Sequence, residues 1–259
     1  MRAFRLFVLK DAMTVLIAGM HRSNSSILSL MLGACGVDLG PPSEDFPPKQ
    51  DDNPDGYGEN VPIVRVNEAV LKALGGAWNA PPAPPANWLE ERRLKRVRKK
   101  AEALLARRGA REPWGWKDPR NCLTVPFWRS IVPIAKVVVP LRHPLEVAES
   151  LCIGRGIEID RGLRLWEIYN RRIVEATTPD ERLVCHAESL CRDHHAELRR
   201  ILEALGLTVS AEAFSAAGRL FRNDRRRHQY PVDMTADSRL SPGLVSLYES
   251  LCVEAGVTR

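Results

Sequence analysis

Two short segments of this 259-residue chain combine the residue types that grip a doubly charged anion. The first is Gly19-Met20-His21-Arg22-Ser23-Asn24-Ser25-Ser26, where a guanidinium stands beside hydroxyls at a helix start. Unpaired N–H groups and the positive dipole end make such a place an anion site. An arginine fork adds charge-assisted hydrogen bonds. The same residues also suit plain capping of a buried helix by Ser23, Asn24 or Ser25. The second segment runs from Arg142 through His143-Pro144 to Ser150. A strand end supplies Arg142, and the helix begun by Pro144 carries Ser150 almost two turns on, so fork and hydroxyl can flank one phosphate. The alternative there is a surface pair of Arg142 with Glu146 and a packed serine.

Two further residues complete the candidate chemistry. Lys117, in Trp114-Gly115-Trp116-Lys117-Asp118-Pro119-Arg120, lies at a strand end, where α/β sheets collect ligands. Its alternative is a salt bridge to Asp118. Glu59, in Asn53-Pro54-Asp55-Gly56-Tyr57-Gly58-Glu59-Asn60, follows two glycines that permit a tight turn within a long loop. Its alternative is a charge at the helix N-terminus before Pro62. A positioned carboxylate or histidine can activate a hydroxyl, typically by ~10²–10⁴-fold. Glu59 is the first candidate for that role and His21 the second; His143 is read as structural.

The first segment departs from the ATPase loop G-x-x-x-x-G-K-[ST]: Asn24 occupies the second glycine position and Ser25 the lysine position. A nucleoside triphosphatase also needs a magnesium-binding carboxylate at a neighbouring strand end. The strand Ala135 to Leu141 delivers Arg142 instead.

These groups must be held by an alternation of strands and helices. Thr14 to Ala18 is a short apolar run that stops at Gly19, the pattern of a buried parallel strand, and Ile27 to Leu32 follow as a buried helix. The stretch Pro41 to Pro62 reads as a long loop with a short helical turn, followed by a helix from Pro62 to Leu74 and a stiff connector, Pro81 to Pro85. Leu89 to Arg108 reads as a basic helix with Leu94, Val97, Ala101, Leu104 and Leu105 on one stripe. Strand Trp114 to Lys117, helix Leu123 to Ile131 and strand Ala135 to Leu141 come next. Pro144 is placed to open the following helix. Gly162 to Ala176, Glu181 to His186 and Ala196 to Leu205 read as helix, strand and helix, and a last helix spans Leu244 to Val253. The alternation predicts a single α/β domain over 1–259 with a mostly parallel sheet. Residues 1–12 are expected as a disordered or start-site extension, since Met13 precedes the first strand.

Composition narrows the class. With 44% hydrophobic and 27% charged residues the chain is neither a disordered tail nor a disulfide-stapled miniature. No apolar run approaches the ~20 residues that span a bilayer, and Leu6-Phe7-Val8-Leu9 is too brief for a signal-peptide core. Six scattered cysteines without a C-x-x-C pair suggest free thiols in a cytoplasmic setting. A net charge of +6 fits an anionic ligand. The basic helix and the arginines from Arg222 to Arg227 also raise nucleic acid as a partner, but no recognised binding motif or aromatic interleaving accompanies them.

Two phosphate loops at two strand ends resemble the sulfotransferases that use 3′-phosphoadenosine 5′-phosphosulfate (PAPS), in particular their bacterial branch related to carbohydrate and tyrosylprotein sulfotransferases. There the first loop commonly reads G-x-H-R-S-G-T-S, matched by Gly19 to Ser26 with Asn24 in place of glycine. Trp114 to Arg120 also matches, as do Arg142-x-Pro144 followed by Ser150. Relatives likewise carry N-P-x-G-[YF]-x-E-N around Glu59. The resemblance covers roughly Thr14 to Arg227. It implies a P-loop-NTPase-like three-layer α/β fold, a central mostly parallel sheet flanked by helices, and sulfuryl transfer to a carbohydrate, lipid or small-molecule hydroxyl. It also implies roles. Gly19, Arg22, Ser23, Asn24, Ser25 and Ser26 would hold the 5′-phosphosulfate, and Arg142 and Ser150 the 3′-phosphate. Arg225, Arg226 and Arg227 would close over the donor, and Arg22 and Lys117 would stabilise the departing phosphate oxygen. A sulfuryl group carries less charge than a terminal phosphoryl group, so fixed cations can suffice without a metal. 3′,5′-ADP (PAP) would be the product. The acceptor and the oligomeric state are not encoded in any recognisable motif.

Overall fold

The computed structural model describes residues 13–47, 56–108, 112–222, 230, 232 and 237–257. The expected extension over residues 1–12 lies outside them.

Strand β1 (Thr14–Ile17) is buried along its whole length. It pairs in parallel with β2 (Trp114–Lys117) on one side and with β3 (Lys136–Leu141) on the other. β3 in turn pairs in parallel with β4 (Arg182–His186), giving the order β2-β1-β3-β4. A strand covered on both faces needs no polar alternation, which is why Thr14–Ile17 and Lys136–Leu141 read as nearly continuous apolar runs. Val15, Ile17 and Val138 face one core, with Leu28, Met31 and Leu32 of helix α1 (Ser25–Ala34) and Leu198, Ile201 and Leu202 of α7 (Ala187–Ala204). Leu16, Val137, Val139 and Leu141 face the other core, which contains Trp116, Trp128, Trp166 and Tyr169. That side is built by α2 (Val61–Ala73), α3 (Leu94–Arg108), α4 (Asn121–Arg129), α5 (Pro144–Arg155), α6 (Ile159–Ala176) and α9 (Pro242–Glu254). The result is the three-layer α/β arrangement that the sequence predicts.

The parallel register sets Ile17 beside both Lys117 and Val138. The chain leaving β1, β2 and β3 therefore emerges at one edge of the sheet, where open α/β sheets bind ligands.

Three elements differ from the sequence reading. α3 begins at Leu94, after a separate 3₁₀ turn at Trp88–Glu90 that follows the proline connector. Its stripe is as expected, with Leu94 and Ala101 buried, while Lys95, Arg96, Lys99 and Lys100 are exposed. The helix read over Ala196 to Leu205 is the second segment of α7, which starts at Ala187 and is broken at Asp193 (φ −155°, ψ 88°). Asp193 accepts hydrogen bonds from His195 N and Ala196 N, so it caps the second segment. Helix α8 (Ala211–Leu220) was not anticipated, although Ser210, whose hydroxyl accepts from Ala213 N, is a cap readable in the sequence.

Gly115 shows how tightly the sheet edge is set. A Cβ there would lie 1.8 Å from the Val15 carbonyl oxygen of the paired strand. Gly115→Ala is expected to lower stability toward the upper end of the ~1–3 kcal/mol typical of overpacking, read as a drop in the urea midpoint with unchanged slope.

Candidate functional site

The turn between β1 and α1 is fixed by close approach and by unusual backbone. A Cβ on Gly19 would meet Pro140 of β3 at 2.8 Å, so only glycine lets the two chains pass. Arg22 (φ 70°) and Asn24 (φ 64°) are, among the described residues, the two non-glycine positions with positive φ. Asparagine tolerates that region; an arginine there is strained, and such strain concentrates at functional turns. Asn24 sits at the N-cap of α1 without a capping side-chain hydrogen bond, and the first turn carries no acidic residue. The helix start thus keeps its positive end exposed to whatever binds beside it.

Arg22 and the second segment meet directly. Arg22 Nε donates to Ser150 Oγ at 2.8 Å, and Arg142 Nη1 donates to the Arg22 carbonyl at 3.2 Å. The pairing of Arg142 with Glu146 weighed from the sequence is present, with Nε 2.6 Å from Oε2. It is not a surface pair, because Glu146 is fully buried and Arg142 is 9% exposed. Glu146 also accepts from the Tyr230 backbone N–H. His143 is structural, as expected: its Nδ1 accepts from Leu145 N and caps α5, and its ring stacks on Tyr230 at 5.1 Å.

Lys117 is the hub of the opposite side. Its ammonium, 2% exposed, donates to Glu59 Oε1 at 2.7 Å, to the Tyr57 carbonyl at 3.0 Å and to Ser26 Oγ at 3.3 Å. The alternative bridge to Asp118 is absent, because Asp118 Oδ1 accepts from Arg120 N and Nη1, both at 2.9 Å. Glu59 does stand at the N-terminus of α2, one residue before its cap. Asn60 is that cap, accepting from Ile63 N, and Glu59 faces Lys117 and, at 3.8 Å, Arg120 Nη1. The structure therefore brings Gly19 to Ser26, Lys117 and Glu59 together, and joins Arg142 and Ser150 to them through Arg22. Arg226 and Arg227 lie outside the described residues, as does Arg225.

His21 packs against Trp78 at 4.6 Å and Tyr169 at 5.9 Å between ring centroids. Its Nε2 is sealed from solvent and has no hydrogen-bond partner among the described residues. Burial, reinforced by Arg120, Lys117, Arg155 and Arg22, holds its pKa well below the usual histidine value, so the imidazole is neutral. Among the described residues, no group of three His, Cys, Asp or Glu side chains could hold a metal ion. No disulfide joins the six cysteines, and no helix of the described residues is long and apolar enough to cross a membrane.

Sequence reasoning missed Arg120, Asp118 and Asn67 as parts of the site. The only sequence signal was their place in or opposite the strand-end segment; Trp78 and Tyr169 carried none.

The profile of the sulfotransferase family matches residues 14–211, most of the chain. The chain belongs to the sulfotransferase family. Among solved structures, this sulfotransferase is similar to the sulfotransferase domain of the olefin synthase from Synechococcus PCC 7002. That match has a TM-score of 0.56 and 18% identity, over 93% of this chain and 94% of that one. Sulfotransferase STF9 from Mycobacterium avium matches with a TM-score of 0.53 and 14% identity, over 95% and 75% of the two chains. The sulfotransferase domain from the curacin biosynthetic pathway gives 0.52 and 14%, over 95% and 98%. At these identities the likeness is one of fold. No curated protein matches the sequence significantly.

The depressed pKa of His21 carries a stability consequence. The unfolded chain takes up a proton near pH 6.5 and the folded one does not, so stability present above that pH is lost as pH falls below it. The slope from this group reaches ~1.4 kcal/mol per pH unit. His21→Phe, which keeps the ring against Trp78 and Tyr169, is expected to be less acid-sensitive than the wild type between pH 6.5 and 5, measured by urea unfolding.

Proposed function

We propose that this sulfotransferase transfers the sulfuryl group of PAPS to a hydroxyl of a carbohydrate, lipid or small-molecule acceptor, as a single-domain cytoplasmic enzyme. The observation that carries the reading is the junction of the two anion-binding segments: Arg22 of the first contacts Ser150, and Arg142 of the second contacts the Arg22 carbonyl. One bisphosphorylated nucleotide fits such a continuous basic strip.

PAPS supplies, when bound, a sulfuryl group on a phosphate leaving group. The backbone from Gly19, with Arg22, Ser23, Asn24, Ser25 and Ser26, holds the 5′-phosphosulfate at the N-terminus of α1. Arg142 and Ser150 hold the 3′-phosphate, and Arg226 and Arg227 belong to the basic segment that covers the donor. Glu59 takes the acceptor's hydroxyl proton as that oxygen bonds to sulfur. The electron pair of the broken S–O bond goes to the phosphate oxygen, whose growing charge Lys117 and Arg22 offset. Glu59 is assigned this proton in preference to His21, because burial and four neighbouring cations suppress the proton affinity of the imidazole. His21 then serves to pack and orient the loop. PAP leaves as the product.

Two measurements test the reading. By calorimetry, PAP is expected to bind at least ~10-fold more tightly than 5′-ADP, the scale of a charged hydrogen-bond set. Arg142→Ala should abolish that preference, whereas equal affinities for the two nucleotides in the wild type would remove the basis for the donor. Glu59→Gln, which keeps an oxygen for Lys117, should lower kcat ~10²–10⁴-fold without weakening PAP binding; undiminished turnover would reassign the base.

A further inference from the structure

Glu59 faces two cations that are anchored very differently. Lys117 reaches Oε1 at 2.7 Å, and its remaining partners, the Tyr57 carbonyl and the Ser26 hydroxyl, are neutral. Arg120 Nη1 stands 3.8 Å from Oε2, too far for a hydrogen bond. Yet Arg120 is fixed from behind: its backbone N and Nη1 both donate to Asp118 Oδ1 at 2.9 Å, and Nη2 reaches Glu68 at 3.2 Å. Asp118, fully buried, is itself held by Asn67 Nδ2 at 2.8 Å. Asn67 is locked in turn by Thr124 Oγ1 and Trp128 Nε1, which donate to its carbonyl oxygen at 2.8 and 2.7 Å.

We infer that Arg120 is the positioning residue for Glu59, taking over the carboxylate when Lys117 turns to the departing phosphate oxygen. The inference rests on the roles given to Lys117 and Glu59 above. A single ammonium cannot neutralise both a buried carboxylate and an incoming phosphate, and an unpaired buried carboxylate is strongly disfavoured. Arg120 is the cation already in place for that moment. It also has capacity to spare. Arg120 Nε is buried without a partner among the described residues. The 3.8 Å gap leaves room for the pair to close. The Asn67–Asp118–Arg120 chain is then what keeps the base aimed at the acceptor, rather than swinging out after Lys117 departs.

The test is the crystal structure of the wild-type protein with PAP, beside Arg120→Met and Arg120→Lys with the same nucleotide, and calorimetry of all three. In the wild type Lys117 should leave Glu59 for the 5′-phosphate, and the Arg120–Glu59 distance should shorten to about 2.7–2.9 Å. In Arg120→Met, PAP affinity should fall severalfold, because Lys117 and Arg120 share Glu59 and releasing Lys117 then leaves the carboxylate unpaired, and Glu59 loses its single position. Arg120→Lys should restore that position, which a merely structural role would not require. An Arg120–Glu59 distance unchanged by PAP, or Glu59 unmoved in Arg120→Met, overturns the inference while leaving the donor assignment standing. If Arg120→Met does not fold, the wild-type distance decides alone. Absence of PAP binding by the wild type overturns the donor reading, and this inference with it.

Discussion

A lysine ammonium with almost no contact with water is the constraint around which this site is organised. Removing such a charge from solvent costs several kcal/mol unless it is neutralised and hydrogen-bonded. Lys117 meets that requirement with acceptors from two separate segments, the Tyr57–Glu59 loop and the start of α1. The loop is thereby pinned across the end of β2 and against α1. Its approach is so close that a Cβ on Gly58 (φ 59°) would fall 2.3 Å from Ser29 Oγ, and only glycine satisfies both the backbone angle and the contact. Immediately beyond Glu59, Asn60 caps α2, so the charged contact also sets where that helix begins. The position of the candidate base is in this sense a by-product of neutralising the lysine.

The same logic governs the remaining cations. Arg142 has Glu146, and Arg120 has Asp118 and Glu59. Burial works against the Arg120 charge, but the carboxylates of Asp118, Glu59 and Glu68 outweigh it and hold the guanidinium firmly protonated. Balanced pairs let several positive groups stand close together before an anion arrives. The pairs do not exhaust the donors, since Arg120 Nε has no partner among the described residues. His21 is kept neutral mainly by burial, to which the neighbouring cations add.

How much of this was legible beforehand depended on the range of the interactions involved. Strands β1 and β3 were readable because burial on both faces leaves a nearly uninterrupted apolar run, and α5 because Pro144 can open a helix with no N–H to lose. The loops that carry Gly19 to Ser26 and Arg142 were readable for the same reason, since each sits where such a run stops. The start of α3 and the break at Asp193 were not, because a proline connector and a side-chain cap overrode an otherwise helical pattern. Asn67 was invisible. Nothing local distinguishes an asparagine in the middle of a helix that will tie Asp118, Asn121, Thr124 and Trp128 together from one that faces water. The pairings of Arg22 with Ser150 and Lys117 with Glu59 join residues 128 and 58 positions apart, and only the sheet order decides that they meet.

That sheet order also changes the picture of two independent anion pockets. With β1 and β3 adjacent, the turn after one and the helix after the other share a wall, and Arg22 belongs to both. Its positive φ is a conformation an arginine adopts only under external restraint. Here the restraint comes from the second segment, through Ser150 at its side chain and Arg142 at its carbonyl. The geometry of the first loop is therefore maintained by residues of the second, so a ligand that draws Arg142 or Ser150 toward itself acts on the backbone that presents the N-terminus of α1. The two ends of the basic strip are mechanically one unit.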